Sequence, residues 1–265
     1  VSKTPSIKEV RRLWDRKASY WDRMMGDGNA FQETLISPTT ERLLGGVSDR
    51  RILEIACGNG VMTRRLAALG AEVLATDLSE TFLELARLRR AENAGRIEYR
   101  LADATDEAQL LALGHPSGYD AAVCSMALMD LPEIEPLFRS LAKLLRPGAP
   151  FVFSVQHPCF NSNAATMVSE GSDRDGKPAT ENSVRVSGYL NVPPGRGAGM
   201  PGEPNPHFYF HRPLHELLGA GFANGFIVDG LEEPGFPEET DAPYPSSWRS
   251  IREIPPVLVV RMKRA

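Results

Sequence analysis

Arg51-Ile-Leu-Glu-Ile-Ala-Cys-Gly-Asn-Gly-Val-Met-Thr63 is the stretch whose reading decides the fold. Ile52, Leu53, Ile55 and Ala56 make a short, nearly continuous apolar run, the pattern of a strand buried on both faces of a parallel sheet. Gly58 and Gly60 let the chain turn sharply, and apolar residues then return at helical spacing from Val61 to Leu69. A strand, a glycine turn and a helix start present several free backbone N–H groups to a ligand. The stretch reads as a nucleotide-type site.

Outward from it, strands and helices alternate, which predicts a doubly wound parallel sheet. The expected strands are Glu72–Asp77, Ile97–Asp103, Tyr119–Ala127 and Phe151–Val155, followed by Phe226–Leu231 and Pro256–Met262. Helices are expected after Leu131-Pro132 and over Leu214–Phe222. In such sheets ligands lie outside the carboxyl ends of the strands, so Gly58, Asp77, Asp103, Met126 and His157 should converge. Asp77 falls 17 positions after Gly60, near the ~20-residue spacing of a ribose-binding acid. Its two oxygens suit a vicinal diol, although an anchor for the helix starting near Ser79 is the competing role.

A dinucleotide fingerprint would place a third small residue where Thr63 stands, and this chain adds an acid, Glu54, inside the strand. With Glu54-x-Ala-Cys-Gly58-x-Gly60, the stretch resembles the first motif of the class I S-adenosylmethionine (SAM)-dependent methyltransferases. Asp77 and the Asp103-Ala104 pair resemble that family's ribose and adenine motifs. The resemblance covers residues 51–158 and implies a seven-stranded, mostly parallel sheet whose seventh strand is antiparallel. It implies SAM as cofactor, held by Glu54, Ala56, Cys57, Gly58, Gly60, Asp77, Leu78, Asp103, Ala104, Ser125 and Met126. Only a base is then needed where the acceptor must lose a proton, and His157, at the cofactor end of the sheet, is the candidate.

Before the sheet, Ile7, Val10, Trp14, Ala18, Trp21 and Met25 recur at three- or four-residue steps on one helical face. Gly26-Asp27-Gly28 ends this arm, and a second helical stretch from Phe31 is expected to break at Ser37-Pro38 and resume to Leu44. Residues 1–46 thus form a helical cap on a domain of residues 47–265. Trp14-Asp-Arg-Lys-Ala-Ser-Tyr-Trp-Asp22 resembles the N-terminal lid of many small-molecule methyltransferases. Residues 157–212 interrupt the alternation with Gly, Pro, Asn and Ser, and read as an ordered substrate-cap insertion. Strand-like pieces are expected there at Val184–Val192 and Phe208–Phe210, and residues 232–245 as a surface excursion. Lid and insertion imply an enclosed pocket for a small, aromatic or apolar acceptor, touched by Tyr20, Trp21, Met25, His207 and Tyr209.

Composition narrows the classes. The formal net charge is -4 over 265 residues, which argues against general attraction to nucleic acid. No signal-peptide pattern or membrane-length apolar run is present, and three widely spaced cysteines read as reduced thiols. The expectation is a cytoplasmic monomer or homodimer with a small-molecule partner and no membrane or nucleic-acid partner. His207, His211 and His215 step by four, but Pro206 and Pro213 work against one helix through all three. Asp130 with His157 would suit a divalent-metal catechol site, but lacks the carboxylate cluster such a site uses, so no metal is expected. Absence of a Tyr-x-x-x-Lys pair argues against a short-chain dehydrogenase. An RNA or protein methyltransferase, or a SAM-binding regulatory or scaffold protein without catalysis, are the alternatives.

Overall fold

A computed structural model describes residues 5–89, 93–238, 240–241 and 247–265. Its centre is a seven-stranded sheet. Strand β1 (Arg51–Ile55) leads to helix α3 (Val61–Ala68), β2 (Glu72–Asp77), α4 (Glu80–Leu88) and β3 (Ile97–Leu101). Then come α5 (Glu107–Leu111), β4 (Ala121–Ser125), α6 (Glu135–Leu144) and β5 (Pro150–Gln156). After the insertion, α7 (Leu214–Phe222), β10 (Phe226–Glu232) and β11 (Val257–Arg264) complete the sheet in the order β10-β11-β5-β4-β1-β2-β3. Only β11 runs against its neighbours, pairing antiparallel with both β5 and β10.

Alternating side chains of β1 enter two separate cores, which is why its apolar run is continuous. Leu53 and Ile55 pack with the helices α5, α6 and α7, where Phe138 meets Phe151 edge-on at 5.6 Å between ring centroids. Ile52 faces the other way, toward Leu43 and Leu44 of α2 (Ser37–Leu44) and toward Met62, Leu66 and Leu83. Leaving the sheet edges aside, burying either face contributes on the order of 1.5–3 kcal/mol per large side chain.

The N-terminal arm is one helix, α1 (Ile7–Met25), begun by a capping box in which Ser6 and Glu9 satisfy each other's backbone N–H groups. The expected break at Ser37-Pro38 does not occur. Residues Phe31–Ile36 form a π-helical turn that runs directly into α2, with the Ser37 N–H reaching back to the Gln32 carbonyl. The wider turn accommodates the proline ring that a regular helix would exclude.

The insertion is ordered, but its strands differ from the expectation. A long hairpin, β6 (Ala165–Arg174) with β7 (Lys177–Val186), overlaps the strand expected over Val184–Val192 only at its first three residues. Its polar residues pair only with each other, so no apolar alternation marks it. A short pair, β8 (Gly195–Gly197) and β9 (His207–Tyr209), lies nearer the sheet and overlaps the expected strand at Phe208–Phe210. Within residues 232–245, Phe236 is buried and meets Phe31 edge-on at 5.0 Å, so this part is not a surface excursion. Glu239 and residues 242–245 of that segment lie outside the described residues.

Candidate active site

The carboxyl ends of β1, β2 and β4 open into a cavity of about 650 Å³. Turns there are strained: Ala56 and Met126, just past β1 and β4, have φ of 54° and 53° although neither is glycine. Such conformations cluster where backbone must approach a ligand. Gly60 has φ 78°, and a Cβ on it would lie 2.7 Å from the Tyr99 hydroxyl, so only glycine fits there.

Two buried carboxyls organise the loop. Asp77 accepts from the Gly58 N–H and the Ser79 N–H, each at 2.9 Å, joining the glycine turn to the start of α4. It therefore carries the anchoring role, and it also lines the cavity. Burial raises its pKa to about 6, against the pull of those two N–H donors. Glu54 accepts from the Thr63 hydroxyl at 2.5 Å, and burial pushes its pKa to about 8. Thr63, the residue that breaks the dinucleotide pattern, thus pins α3 to β1.

The arm α1 is tied over this loop by hydrogen bonds. The Asn59 side chain donates to Asp22 at 2.9 Å, Arg89 donates to Asp22 at 2.7 Å, and the Ser79 hydroxyl donates to Asp15 at 2.5 Å. Trp14, Trp21 and Met25 of α1 then face the cavity beside His207 and Tyr209 of β9. Between arm and insertion lies a buried polar cluster. Lys17 donates to Glu203 at 2.7 Å and to Nδ1 of His207, with its ammonium 3.5 Å from the centre of the Trp14 ring. Nε2 of His207 lies 3.5 Å from Oδ1 of Asp130, in the turn after β4. Burial brings the Lys17 pKa down to about 8, despite Glu203, and that of His207 down to about 4.

Of the residues expected at the cofactor, Glu54, Ala56, Cys57, Gly58, Asp77, Leu78, Ser125 and Met126 line the cavity. Gly60 lies behind its wall as the cap of α3. Asp103 and Ala104 are not in the lining, and Asp103 Oδ1 accepts from the Thr105 N–H at 2.8 Å and from the Thr105 hydroxyl. Of the residues expected at the acceptor, Trp21, Met25, His207 and Tyr209 line the same cavity, whereas Tyr20 turns aside to donate to the Pro201 carbonyl. His157 is buried outside the lining. Its Nδ1 accepts from the Cys159 N–H at 3.1 Å, leaving Nε2–H to donate to Glu233 at 2.7 Å. Both ring nitrogens are thus engaged in holding the chain where it leaves β5. The other two histidines of the four-residue series are separated from His207, with His211 donating to the Tyr189 carbonyl and His215 on the exposed side of α7.

Residues 52–148 match the family model of a methyltransferase domain. An S-adenosylmethionine dependent methyltransferase from Mesorhizobium loti superposes with a TM-score of 0.62 at 27% identity, over 86% of this chain and 96% of that one. Residues 52–148 carry a methyltransferase domain. A ubiquinone biosynthesis O-methyltransferase of Bordetella avium is 32% identical over 114 residues, 43% of this chain and 46% of that protein. One from Vibrio atlanticus is 26% identical over 165 residues, 60% and 66% of the two chains. The chain spans about half the length of several such relatives it matches.

Two features of the site escaped the reading of the sequence. Lys17 sits on the apolar face of α1, three residues after Trp14 and four before Trp21, and a cation on that face is a signal of a buried partner. Glu203 carried no signal, since its partner is 186 positions away. Among the described residues, no helix is long and apolar enough to cross a membrane.

Proposed function

We propose that this chain transfers the methyl group of SAM to a hydroxyl of a small, largely apolar or aromatic molecule. The carrying observation is the single cavity joining the glycine loop and Asp77 to the aromatic wall of Trp14, Trp21 and Tyr209. Its volume lies within the ~300–1,000 Å³ range of small-molecule sites. The hydroxyl acceptor is supported by the O-methyltransferase relatives, which match less than half to about two thirds of their own length.

The donor set fits SAM. Asp77 offers a carboxylate for a diol, Gly58 carries no side chain and a Cβ there would meet nothing within 4 Å, and the Ser125 hydroxyl is buried on the cavity wall without a partner. When bound, SAM supplies a methyl group already activated by a positively charged sulfur. The chain's own work is to align the acceptor, exclude water and handle a proton. Asp77 would hold the ribose hydroxyls, with Glu54 and the Gly58 turn at the amino-acid end. Trp14, Trp21 and Met25 would hold the acceptor against the methyl, and α1 strapped by Asp15 and Asp22 would close off solvent. His157 holds the exit of β5 in this reading.

Calorimetry with S-adenosylhomocysteine (SAH), followed by SAH release assays on catechols and monophenols, tests the proposal. Saturable binding and acceptor-dependent release are expected. Absence of SAH binding would overturn the cofactor assignment, whereas binding without release would leave a SAM-binding protein of another role.

A further inference from the structure

Asp130 stands apart from every other acid in the cavity. It is 7% exposed, it lines the cavity wall, and its Oδ1 is buried with no hydrogen-bond partner. Asp77 and Glu54 each have hydrogen-bond donors; the ring nitrogen facing Asp130 Oδ1, Nε2 of His207, lies 3.5 Å away and makes no hydrogen bond to it. An orphaned buried carboxyl oxygen is costly, and its persistence beside a ligand cavity points to a donor that arrives with the ligand.

The groups around it are arranged in a chain. Nδ1 of His207 lies against both Lys17 and, at 3.3 Å, Oε1 of Glu203; Lys17 is the closer of the two and an ammonium offers only protons, so Nδ1 presents its lone pair to Lys17. The imidazole proton then lies on Nε2, the atom 3.5 Å from Asp130 Oδ1. Trp14 and Tyr209 hold the His207 ring at centroid distances of 4.5 and 4.3 Å. His207 thereby turns its N–H edge toward Asp130 without bonding to it, and has no free lone pair for an acceptor.

We propose that Asp130 is the general base that takes the acceptor's hydroxyl proton, and that Lys17, acting through His207, positions it. The inference rests on the methyltransferase reading above. The acceptor O–H bond breaks with its proton passing to a carboxylate oxygen of Asp130. The freed oxygen pair forms the new bond to the methyl carbon while the sulfur–methyl pair stays on sulfur, and the proton leaves Asp130 to water after the product departs. Lys17 belongs to α1, Glu203 and His207 to the insertion, and Asp130 to the sheet. The base is therefore in place only when arm and insertion meet over the cavity.

The electrostatics agree with this use. Burial raises the Asp130 carboxyl well above the ordinary carboxylate range, Lys17 opposes the rise and Glu203 adds to it. Those two, with His207, Tyr209 and Cys124, are the titratable groups that face it. A base with a raised pKa accepts a proton more readily, provided it can still ionise at working pH.

The test has an acceptor-free arm and a kinetic arm, both on the full chain. With SAH bound, carbon-13 NMR of labelled aspartate should show one carboxyl, missing in Asp130→Asn, titrating above the ordinary ~3.9 of Asp. In single-turnover methylation of catechols and monophenols, Asp130→Asn should lose ~10²–10⁴-fold while SAH affinity stays within about twofold, and Asp130→Glu should recover part of the loss. Rate should rise with pH through the Asp130 midpoint, because only the ionised carboxyl accepts a proton. Lys17→Met should move that limb to higher pH and Glu203→Gln to lower pH; a merely structural pair would change stability and leave the limb in place. An ordinary Asp130 midpoint, or a parent-like rate in Asp130→Asn, overturns the proposal. SAH binding without methylation of any hydroxyl compound overturns it too while leaving the cofactor site standing, and failure to bind SAH overturns the reading beneath it.

Discussion

The sheet and the cap are built on opposite principles. In residues 51–156 the parallel strands pair within one contiguous stretch, Ile52 lying between Val73 and Ala121, and carboxyls such as Asp77 are satisfied by backbone N–H groups close in the fold. In the cap, α1 and the insertion meet through Lys17, Glu203 and His207, side chains drawn from distant segments and buried together. On the function proposed above, cofactor binding would rest on the geometry of one contiguous stretch and acceptor handling on polar contacts between distant segments. A local motif tolerates change elsewhere in the chain. A buried ion pair spanning two elements fails as a unit.

The largest expected effect breaks that unit. Glu203→Ala strands the Lys17 ammonium, whose side chain is fully buried, and removing one partner of a buried pair costs about 3–5 kcal/mol. The cost should appear in the cap: amide exchange in α1 and β9 should accelerate, because opening lets water reach Lys17, while β1 and β4 stay protected. Equal acceleration throughout the sheet would mean that cap and sheet are one cooperative unit, and the comparison would fail.

Asp77 comes next and probes the local half. Asp77→Asn should weaken SAH by about 1.5–3 kcal/mol, the range for a hydrogen bond to a charged partner, with the cap's exchange unchanged. The sign of the pH effect follows from its folded pKa of about 6, above the ordinary carboxylate value. The folded state without ligand holds this proton more tightly than the unfolded chain. The contribution of Asp77 to stability is therefore full below about pH 4 and is lost as pH rises through about 6. Binding runs the other way, since the ionised form accepts both hydroxyl protons, so SAH affinity should rise over the same range. Calorimetry at several pH values, with the Asn variant as the flat reference, measures both.

A similar split governs what the sequence made legible. The alternating strands and helices and the cavity-lining Gly58, Asp77 and Met126 were readable because period, turn chemistry and strand order are regular signals, whereas the antiparallel β11 came only from the family resemblance. Pro38 misled, since a single π-helical turn absorbs it without breaking the helix. The β6–β7 hairpin was unreadable because neither face is buried and its polar residues carry no alternation. His157 was chosen from its position after β5, but position does not reveal that Cys159 and Glu233 engage both nitrogens. Asp130 looked like half of a metal site because its real neighbours lie on α1 and β9.

His157 gives the third, smaller effect. Nε2–H donates to a half-exposed Glu233, so the pair is worth little more than an ordinary hydrogen bond, and loss of both ring contacts in His157→Ala should cost about 1–2 kcal/mol. Burial lowers the His157 pKa, with Glu233 pulling the other way. Its contribution is thus present above the ordinary histidine value near ~6.5 and is lost as pH falls below it. Denaturant titrations of parent and variant at pH 5 and 8 should differ accordingly, with SAH affinity unchanged. A large loss of methyl transfer in folded His157→Ala would return this residue to the reaction.

The smallest expected effect concerns the hairpin, which belongs to the cap by sequence but to neither half by contact. β6 and β7 form their own two-stranded sheet, and residues 169–178 are exposed along their length. Only Met167, near its base, reaches the cavity lining. The register pairs Ser169 with Asn182, so residues 170–181 can be replaced by Asn-Gly, whose backbone matches a two-residue hairpin turn. The shortened strands keep Met167 opposite Val184. If acceptor handling depends on the Lys17–Glu203–His207 contacts, the trimmed chain should keep its stability within about 0.5 kcal/mol, as surface changes usually do. SAH affinity and single-turnover rate should also match the parent. A rate loss with intact SAH affinity would show that the distal hairpin folds down onto the acceptor, and the polar cluster would then share the roof with a segment that has no buried anchor of its own.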